Sequence, residues 1–200
     1  MIVGGGFGGV GAARELDRRI GRGLEARVTP ISDSNFLLFT PLLVGVTSST
    51  VEARHVSAPV RVGLDRASFL PGGSIDTQSH NANVSVGKEG MLRVPSNHLV
   101  LVVGGVPHFF DLPGAGEHAF PMKSVEDATL LRSHFLGTLE RADLEPDPAE
   151  QARLLTFVVA GGGFACTELV AELFDLVHDV LHLFPRLHGL RPRFVIVHTG

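Results

Sequence analysis

The chain has 200 residues, 44% of them hydrophobic and 19% charged, a balance that supports a packed core and argues against disorder. Lysine and arginine number 17 against 21 aspartates and glutamates, for a net charge of −4 without any long basic run, so nothing points to nucleic acid. The single cysteine, Cys166, excludes a disulfide framework within the chain, and the longest apolar stretch, residues 98–110, is broken by glycines and a proline and falls short of the roughly 20 residues a membrane helix needs.

Glycine is abundant, at 24 residues, and clustered. The first cluster follows a short apolar strand, Ile2-Val3, and reads Gly4-Gly5-Gly6-Phe7-Gly8-Gly9 before a helical pattern running through residues 12–19. Gly4-x-Gly6-x-x-Gly9 is the spacing of a dinucleotide fingerprint. Its first glycine makes a tight turn, its second lets the backbone approach a pyrophosphate, and its third lets helix and strand pack closely. A strand before it and a helix after it give the context that distinguishes the motif from a structural turn. A β-branched run, Arg27-Val28-Thr29-Pro30-Ile31-Ser32, follows and completes a βαβ unit. Pro30 sits awkwardly there, because a proline removes a ladder donor. The acid expected to hold a ribose hydroxyl has its nearest candidate in Asp33, beside Ser32, one residue later than expected; a solvated turn residue is the competing reading of Asp33.

Residues 67–94 have a different texture, short, polar and turn-rich, with turns expected at Pro71-Gly72-Gly73 and Gly87-Lys88-Glu89-Gly90. Small antiparallel strands are expected here. Leu99-Val100-Leu101-Val102-Val103 then returns to a buried parallel strand ending at Gly104. A helix is expected over residues 124–142, with Ser124 as N-cap and Asp127 three residues on, near a capping box. Glu145-Pro146-Asp147-Pro148 reads as a linker.

Beyond the linker the first grammar repeats. The run 154–160 leads into Gly161-Gly162-Gly163-Phe164-Ala165-Cys166, then a helical pattern over 167–184, then the β-branched run 193–198. The two copies lie too far apart for a solenoid period and suit two related domains. Strands in both are expected to be covered on both faces. The third glycine position holds Cys166, a small residue that packs there more readily than it serves as a catalytic thiol. Glu168 falls on the first helical turn by this reading, where capping and a role beside a bound nicotinamide compete evenly. His178 and His182 have metal-ligand spacing but share a face with Asp175 and Asp179, which reads as a solvated polar stripe; no metal site is assigned.

Taken in order, the first glycine loop, the stretch Asn35-Phe36-Leu37-Leu38-Phe39-Thr40-Pro41-Leu42-Leu43, the strand 98–104, the stretch 121–128 and Gly161-Gly162-Gly163-Phe164-Ala165 resemble the type II NADH dehydrogenases. These are single-chain flavoprotein NADH:quinone oxidoreductases of the pyridine nucleotide-disulfide oxidoreductase superfamily. The resemblance implies an α/β fold of two Rossmann-like dinucleotide-binding units. Residues 1–145 would be the FAD unit with a small antiparallel β insertion, and residues 150–200 the opening βαβ of an NAD(P)H unit. It implies that Gly4, Gly6, Phe7, Gly8 and Gly9 hold the FAD pyrophosphate, with Ser32 and Asp33 at the ribose. Thr40, Pro41 and Leu42 would approach the flavin ring and Gly104 would lie by the FAD. Gly161, Gly163, Phe164 and Ala165 would hold NADH, with Glu168 as the catalytic residue at the nicotinamide.

Hydride would pass to the flavin and electrons on to a membrane quinone. Peripheral association with the cytoplasmic side of the inner membrane is implied through a later segment of the family. The chain stops at Gly200, inside the second unit, and so reads as the N-terminal part of a longer protein. Five features depart from the family pattern: three residues before Gly4, Pro30 inside a strand, Ser96-Asn97 in place of a tyrosine and an aspartate, Cys166 in place of a glycine, and His198 where an acid often binds the NADH ribose. The last leaves NADH against NADPH open. Dithiol-linked disulfide reductases and sulfide:quinone reductases rely on cysteine pairs, which one cysteine cannot supply. A ferredoxin-type reductase and a degenerate, non-catalytic flavin- or nucleotide-binding module stay as alternatives.

Overall fold

The computed structural model describes residues 1–20, 25–72, 75–78, 81–86 and 90–198. In chain order the elements begin β1 (Ile2–Val3), α1 (Phe7–Ile20), β2 (Pro30–Ser32), β3 (Phe36–Leu38), α2 (Leu43–Ser48), β4 (Ser57–Pro59) and β5 (Leu70–Pro71). There follow β6 (Ile75–Gln78), β7 (Asn81–Val86), β8 (Gly90–Pro95), β9 (Val100–Leu101) and α3 (Ala115–His118). The last are α4 (Val125–Leu144), α5 (Pro148–Leu154), β10 (Thr156–Ala160), α6 (Phe164–Val180) and β11 (Arg193–Val197). Two compact units result, Met1–Leu38 with Ser57–Val106, and Phe39–Val56 with Pro107–Gly200.

The first unit is built on a parallel sheet of order β5-β2-β1-β9. Ile2 and Ile31 are fully buried at its centre, and α1 packs Ala13 against Ile2 and Val28. Pro30 does not break this sheet. It is the first residue of β2, and the bonds that β1 needs come from the carbonyls on either side, with Ile2 N–H donating to Thr29 O at 2.9 Å and Gly4 N–H to Ile31 O at 2.8 Å. The opening of a strand is a position where proline is tolerated. The region 67–94 is mixed rather than wholly antiparallel. Leu70–Pro71 joins the parallel sheet beside β2, while β6, β7 and β8 form the expected antiparallel meander. Of the expected turns, Gly73 and residues 87–89 lie outside the described residues, and Gly90 opens β8.

Asp17 is a buried charge on α1 that the sequence did not single out. Its Oδ2 accepts the backbone N–H of Arg66 at 2.6 Å and of Ala67 at 3.2 Å, so one carboxylate pins the loop before β5 to the helix. A carboxylate can be buried only where donors replace its water. At the exposed surface of the same helix, hydrogen bonds from Arg18 and Arg19 hold the Glu15 carboxyl down at about 2.

The second unit centres on Phe135 and Leu139 of α4, Leu154 and Leu155, and Leu173 and Val177 of α6, closed by Phe184 and Leu187. Phe157 of β10 meets Phe135 at 4.5 Å between ring centroids and stacks on Phe194 of β11 at 5.5 Å. β10 and β11 run parallel from Thr156↔Arg193 to Ala160↔Val197. The capping box is present: Ser124 Oγ accepts from Asp127 N–H and the Asp127 carboxylate accepts from Ser124 N–H. Asp147 caps α5 with Pro148 in its first turn, so part of the expected linker is a helix start. α6 ends at Val180, four residues before the expected Phe184; a 3₁₀ turn at Leu181–Leu183 carries His182, ahead of Pro185, whose ring disfavours a helical conformation in the residue before it.

The expectation that the strands are buried on both faces holds for β1 and β2, where Ile2 and Val3 and then Pro30, Ile31 and Ser32 are all buried, and fails for β9 and β10. Leu101 is 65% exposed in β9, and Val158 is 63% exposed in β10 although its neighbour Phe157 turns into the core. Successive strand residues face opposite ways, and among the described residues the packing covers one face of β10 and leaves β9 exposed.

Replacing Asp17 with alanine leaves the Arg66 and Ala67 amides without their acceptor. Urea unfolding of Asp17→Ala is expected to show a loss of about 1–3 kcal/mol at unchanged m, with Asp17→Asn, which keeps an acceptor oxygen, losing less.

Candidate dinucleotide sites

In the first unit the chain leaves β1 through Gly4, which sits at φ +119°, in the left-handed region that glycine alone enters freely. A Cβ placed on Gly4 would lie 1.9 Å from the Val102 carbonyl oxygen, and one on Gly9 would lie 1.8 Å from the Gly4 carbonyl oxygen. These two glycines are therefore required by packing. Gly6 is different, because a Cβ there would meet nothing within 4 Å. The space over Gly6 is open, and the amino end of α1 opens onto it, the first intrahelical bond running from Val10 N–H to Gly6 O at 2.9 Å. Open space at a helix amino terminus, with its amides and its partial positive charge, fits a pyrophosphate. Phe7 is 55% exposed at the first helical position and Gly8 follows it against Val102.

Ser32 closes β2 and packs on this loop, its Oγ 2.6 Å from where a Gly5 Cβ would stand. Asp33 is exposed just beyond, with Oδ1 accepting Ser34 N–H at 2.8 Å. Gly104 follows β9 at φ +75°, again with nothing within 4 Å of its Cβ position.

The second unit repeats this turn. Gly161 has φ +125° and donates its N–H to Val197 O at 2.7 Å, as Gly4 does to Ile31 O. α6 begins at Phe164, three residues after its first glycine, just as α1 begins at Phe7. Gly163 is the N-cap, and its Cβ position too has nothing within 4 Å. Phe164 is 90% exposed and Ala165 is exposed. At the third position Cys166 turns its Sγ back onto the Ala160 carbonyl at 3.7 Å, and that sulfur stands 2.8 Å from a Gly161 Cβ position. The thiol fills the junction that a third glycine would leave bare. His198 packs on Gly162 as Ser32 packs on Gly5.

Glu168 is exposed, without a side-chain hydrogen bond or ion pair among the described residues. It stands on the second turn of α6 rather than the first, because the helix starts at Phe164 and not after Cys166. The weaker dipole field there removes most of the reason for a capping role. Thr40, Pro41 and Leu42 form an exposed 3₁₀ turn that runs directly into α2. A residue the sequence did not single out is Glu172, one helical turn beyond Glu168. Its carboxylate accepts the hydroxyls of Ser48 and, at 3.1 Å, Thr50. Contacts this distant along the chain leave no mark in periodicity; the only hint was the i, i+4 pairing of the two glutamates on one helix.

The pyridine nucleotide-disulphide oxidoreductase family matches residues 1–194 of the chain. A curated relative, the external alternative NAD(P)H-ubiquinone oxidoreductase B4 of Arabidopsis thaliana mitochondria, is 38% identical over 174 residues, covering 80% of this chain and 30% of the relative. The type II NADH:quinone oxidoreductase of Mycobacterium tuberculosis is 28% identical over 203 residues, covering 98% of this chain and 42% of the relative. The structure of NDH2 from Plasmodium falciparum in complex with NADH superposes with a TM-score of 0.83 at 23% identity, over 98% of this chain and 40% of that one. The chain thus spans well under half the length of these relatives.

The two kinds of glycine in each loop separate under mutation. Gly6→Ala, at an open position, is expected to change unfolding free energy by less than about 1 kcal/mol while flavin retention falls at least about tenfold, read by absorbance after gel filtration. Gly9→Ala is expected to cost about 3 kcal/mol through overpacking. Wild-type flavin affinity in Gly6→Ala removes the first loop from the cofactor site.

Proposed function

The chain belongs to the pyridine nucleotide-disulphide oxidoreductase family, and from that premise we propose that it is an FAD-dependent oxidoreductase passing electrons from NADH through the flavin to a membrane quinone. The observation that carries this reading is the doubled turn, in which two strands each pass through a left-handed glycine into a helix whose amino end faces open space. One such turn serves each dinucleotide. The names of the relatives, NAD(P)H-ubiquinone and NADH:quinone oxidoreductases, support the donor and the acceptor.

In this reading Gly4, Gly6, Phe7, Gly8 and Gly9 present backbone and helix end to the FAD pyrophosphate. Ser32 and Asp33 meet the ribose, Gly104 lets the backbone approach the cofactor, and Thr40, Pro41 and Leu42 line the flavin ring. Gly161, Gly163, Phe164 and Ala165 take the NADH pyrophosphate, and Glu168 supplies a carboxylate at the nicotinamide. When bound, the flavin accepts hydride from NADH and passes the electrons on. The chain's own part is orientation and electrostatics. Its charge complement to the phosphates is backbone, since neither loop holds a lysine or arginine. His198 in place of a ribose-binding acid removes the usual repulsion of a 2′-phosphate, so NADPH is the alternative donor.

The division near residues 145–150 is the proposed boundary between the FAD and NAD(P)H portions. No helix among the described residues is long and apolar enough to cross a membrane, and the proposed attachment is peripheral, on the cytoplasmic side of the quinone-bearing inner membrane.

The deciding measurement is the visible absorbance of the purified protein, expressed from its gene read through to the stop codon, before and after anaerobic addition of NADH or NADPH. A flavin spectrum bleached by NADH, and reoxidised by a soluble quinone, is the expected result. A flavin indifferent to both donors favours the non-catalytic binding module. Bleaching without reoxidation by quinone favours another NAD(P)H-flavin reductase such as a ferredoxin-type enzyme. Absence of flavin even after adding FAD overturns the proposal.

A further inference from the structure

The second unit carries a polar cluster that the proposed chemistry leaves unused. It joins the carboxyl end of α2, residues 47–50, to α4 and α6. Glu172 on α6 accepts the Ser48 hydroxyl and, at 3.1 Å, the Thr50 hydroxyl through the same oxygen, Oε2. Arg132 Nε on α4 donates to Ser49 Oγ, and Ser49 holds φ +69°, a left-handed conformation uncommon outside glycine. Thr47 is fully buried and its hydroxyl donates to the Leu43 carbonyl at 3.2 Å.

α2 has only six residues, too few to be stable as an isolated helix. Its position is therefore set by what it packs against and what ties it. Its amino end is continuous with the turn at Thr40–Leu42, since Leu42 is both the last residue of that turn and the N-cap of α2. Whatever fixes α2 fixes the turn. Apolar packing of Leu43 and Val46 resists separation but is non-directional. The hydrogen bonds to a carboxylate are directional and charge-assisted, and they set rotation and register.

We propose that Glu172 is a positioning residue, whose carboxylate clasps Ser48 and Thr50 and so holds the Thr40-Pro41-Leu42 turn in the place it needs beside the flavin. This rests on the proposed function for the flavin's presence there. The clasp also gives α6 a second duty. The helix that opens at the Gly161–Gly163 loop and carries Glu168 anchors, one turn later, the segment leading from the flavin-side turn.

Loss of the clasp does not orphan its donors. Gly45 O lies 3.1 Å from Ser48 Oγ and 3.3 Å from Thr50 Oγ1, ready to accept either hydroxyl. A variant lacking Glu172 therefore has a route to a folded protein with an untied α2.

The test compares Glu172→Ala, Glu172→Gln and the double variant Ser48→Ala/Thr50→Ala in the full-length protein. Two readouts are taken: amide hydrogen exchange over residues 40–50, which needs no cofactor, and the absorbance band shape and fluorescence of bound FAD. Glu172→Ala and the double variant are expected to raise exchange over 40–50 by about tenfold, with residues 125–144 unchanged, and to shift the flavin band and raise its fluorescence. Glu172→Gln, whose amide oxygen still accepts, is expected to restore both. Unchanged exchange in Glu172→Ala, or a rise spread evenly over the chain, overturns the clasp. Raised exchange with an unaltered flavin spectrum reduces Glu172 to a structural tie and overturns its positioning role. If the wild-type protein binds no flavin, the proposed function fails and the positioning role with it, while exchange still decides whether the clasp exists.

Discussion

A single backbone bond recurs at the point on which each unit turns. The first glycine of each loop donates its N–H to the neighbouring strand's last carbonyls, Gly4 to Ile31 and Gly161 to Val197. Each glycine holds φ near +120° to do so. A side-chain-bearing residue enters that region only under strain. With the N–H committed to the sheet and φ reversed, the chain leaves the strand and must enter a helix at once, aimed back across the sheet. The open space over Gly6 and Gly163 follows from this geometry. A helix that starts three residues after the strand's last bond has its amino end exposed at the sheet's carboxyl edge, where a phosphate can approach.

The two copies then solve the close helix–strand approach differently. In the first, Gly9 sits so near the Gly4 carbonyl that no Cβ fits. In the second, the helix is set so that Cys166 fits, and its thiol lies on the Ala160 carbonyl and against Gly161. The thiol there fills the helix–strand junction, which is the packing role of a small residue. The residues that follow the second strand differ likewise, Ser32 against Gly5 and His198 against Gly162. They occupy matching places with unlike chemistry.

What was legible in the sequence is what local rules govern. The glycine loops, the capping box at Ser124 and Asp127, and the meander all rest on signals within a few residues, and all stand where expected. Leu70–Pro71 escaped because a two-residue strand has no periodicity; only its pairing with β2 defines it. The start of α5 at Asp147 and Pro148 carried a readable N-cap signal, yet the same residues also fit a linker. Glu168 moved by a turn because helix boundaries are soft by a few residues, and a charge near a boundary changes its meaning with that shift. The apolar runs around Leu101 and Val158 read as buried because hydropathy reports what a side chain prefers. Burial also needs an element on each face, and a sequence window does not contain that information.

Glu172 shows the same limit at the level of function. Its partners Ser48 and Thr50 lie more than a hundred residues away in the chain, and a glutamate on an amphipathic helix reads as surface. Its interest comes only from the conjunction of three facts: a short helix that cannot hold itself, an oxygen that accepts two hydroxyls, and a turn continuous with that helix. If the flavin supplies the reactivity, the protein's contribution is the precision with which it places the ring and the nicotinamide, and small misplacements are costly to rate. Rigid ties to the elements carrying those contacts are then as much part of the machinery as the contacts. α6 is well placed for this, since one rigid helix carries the open glycine end, the Glu168 carboxylate and the Glu172 clasp, so that the spacing among the three is set by helical geometry rather than by loops.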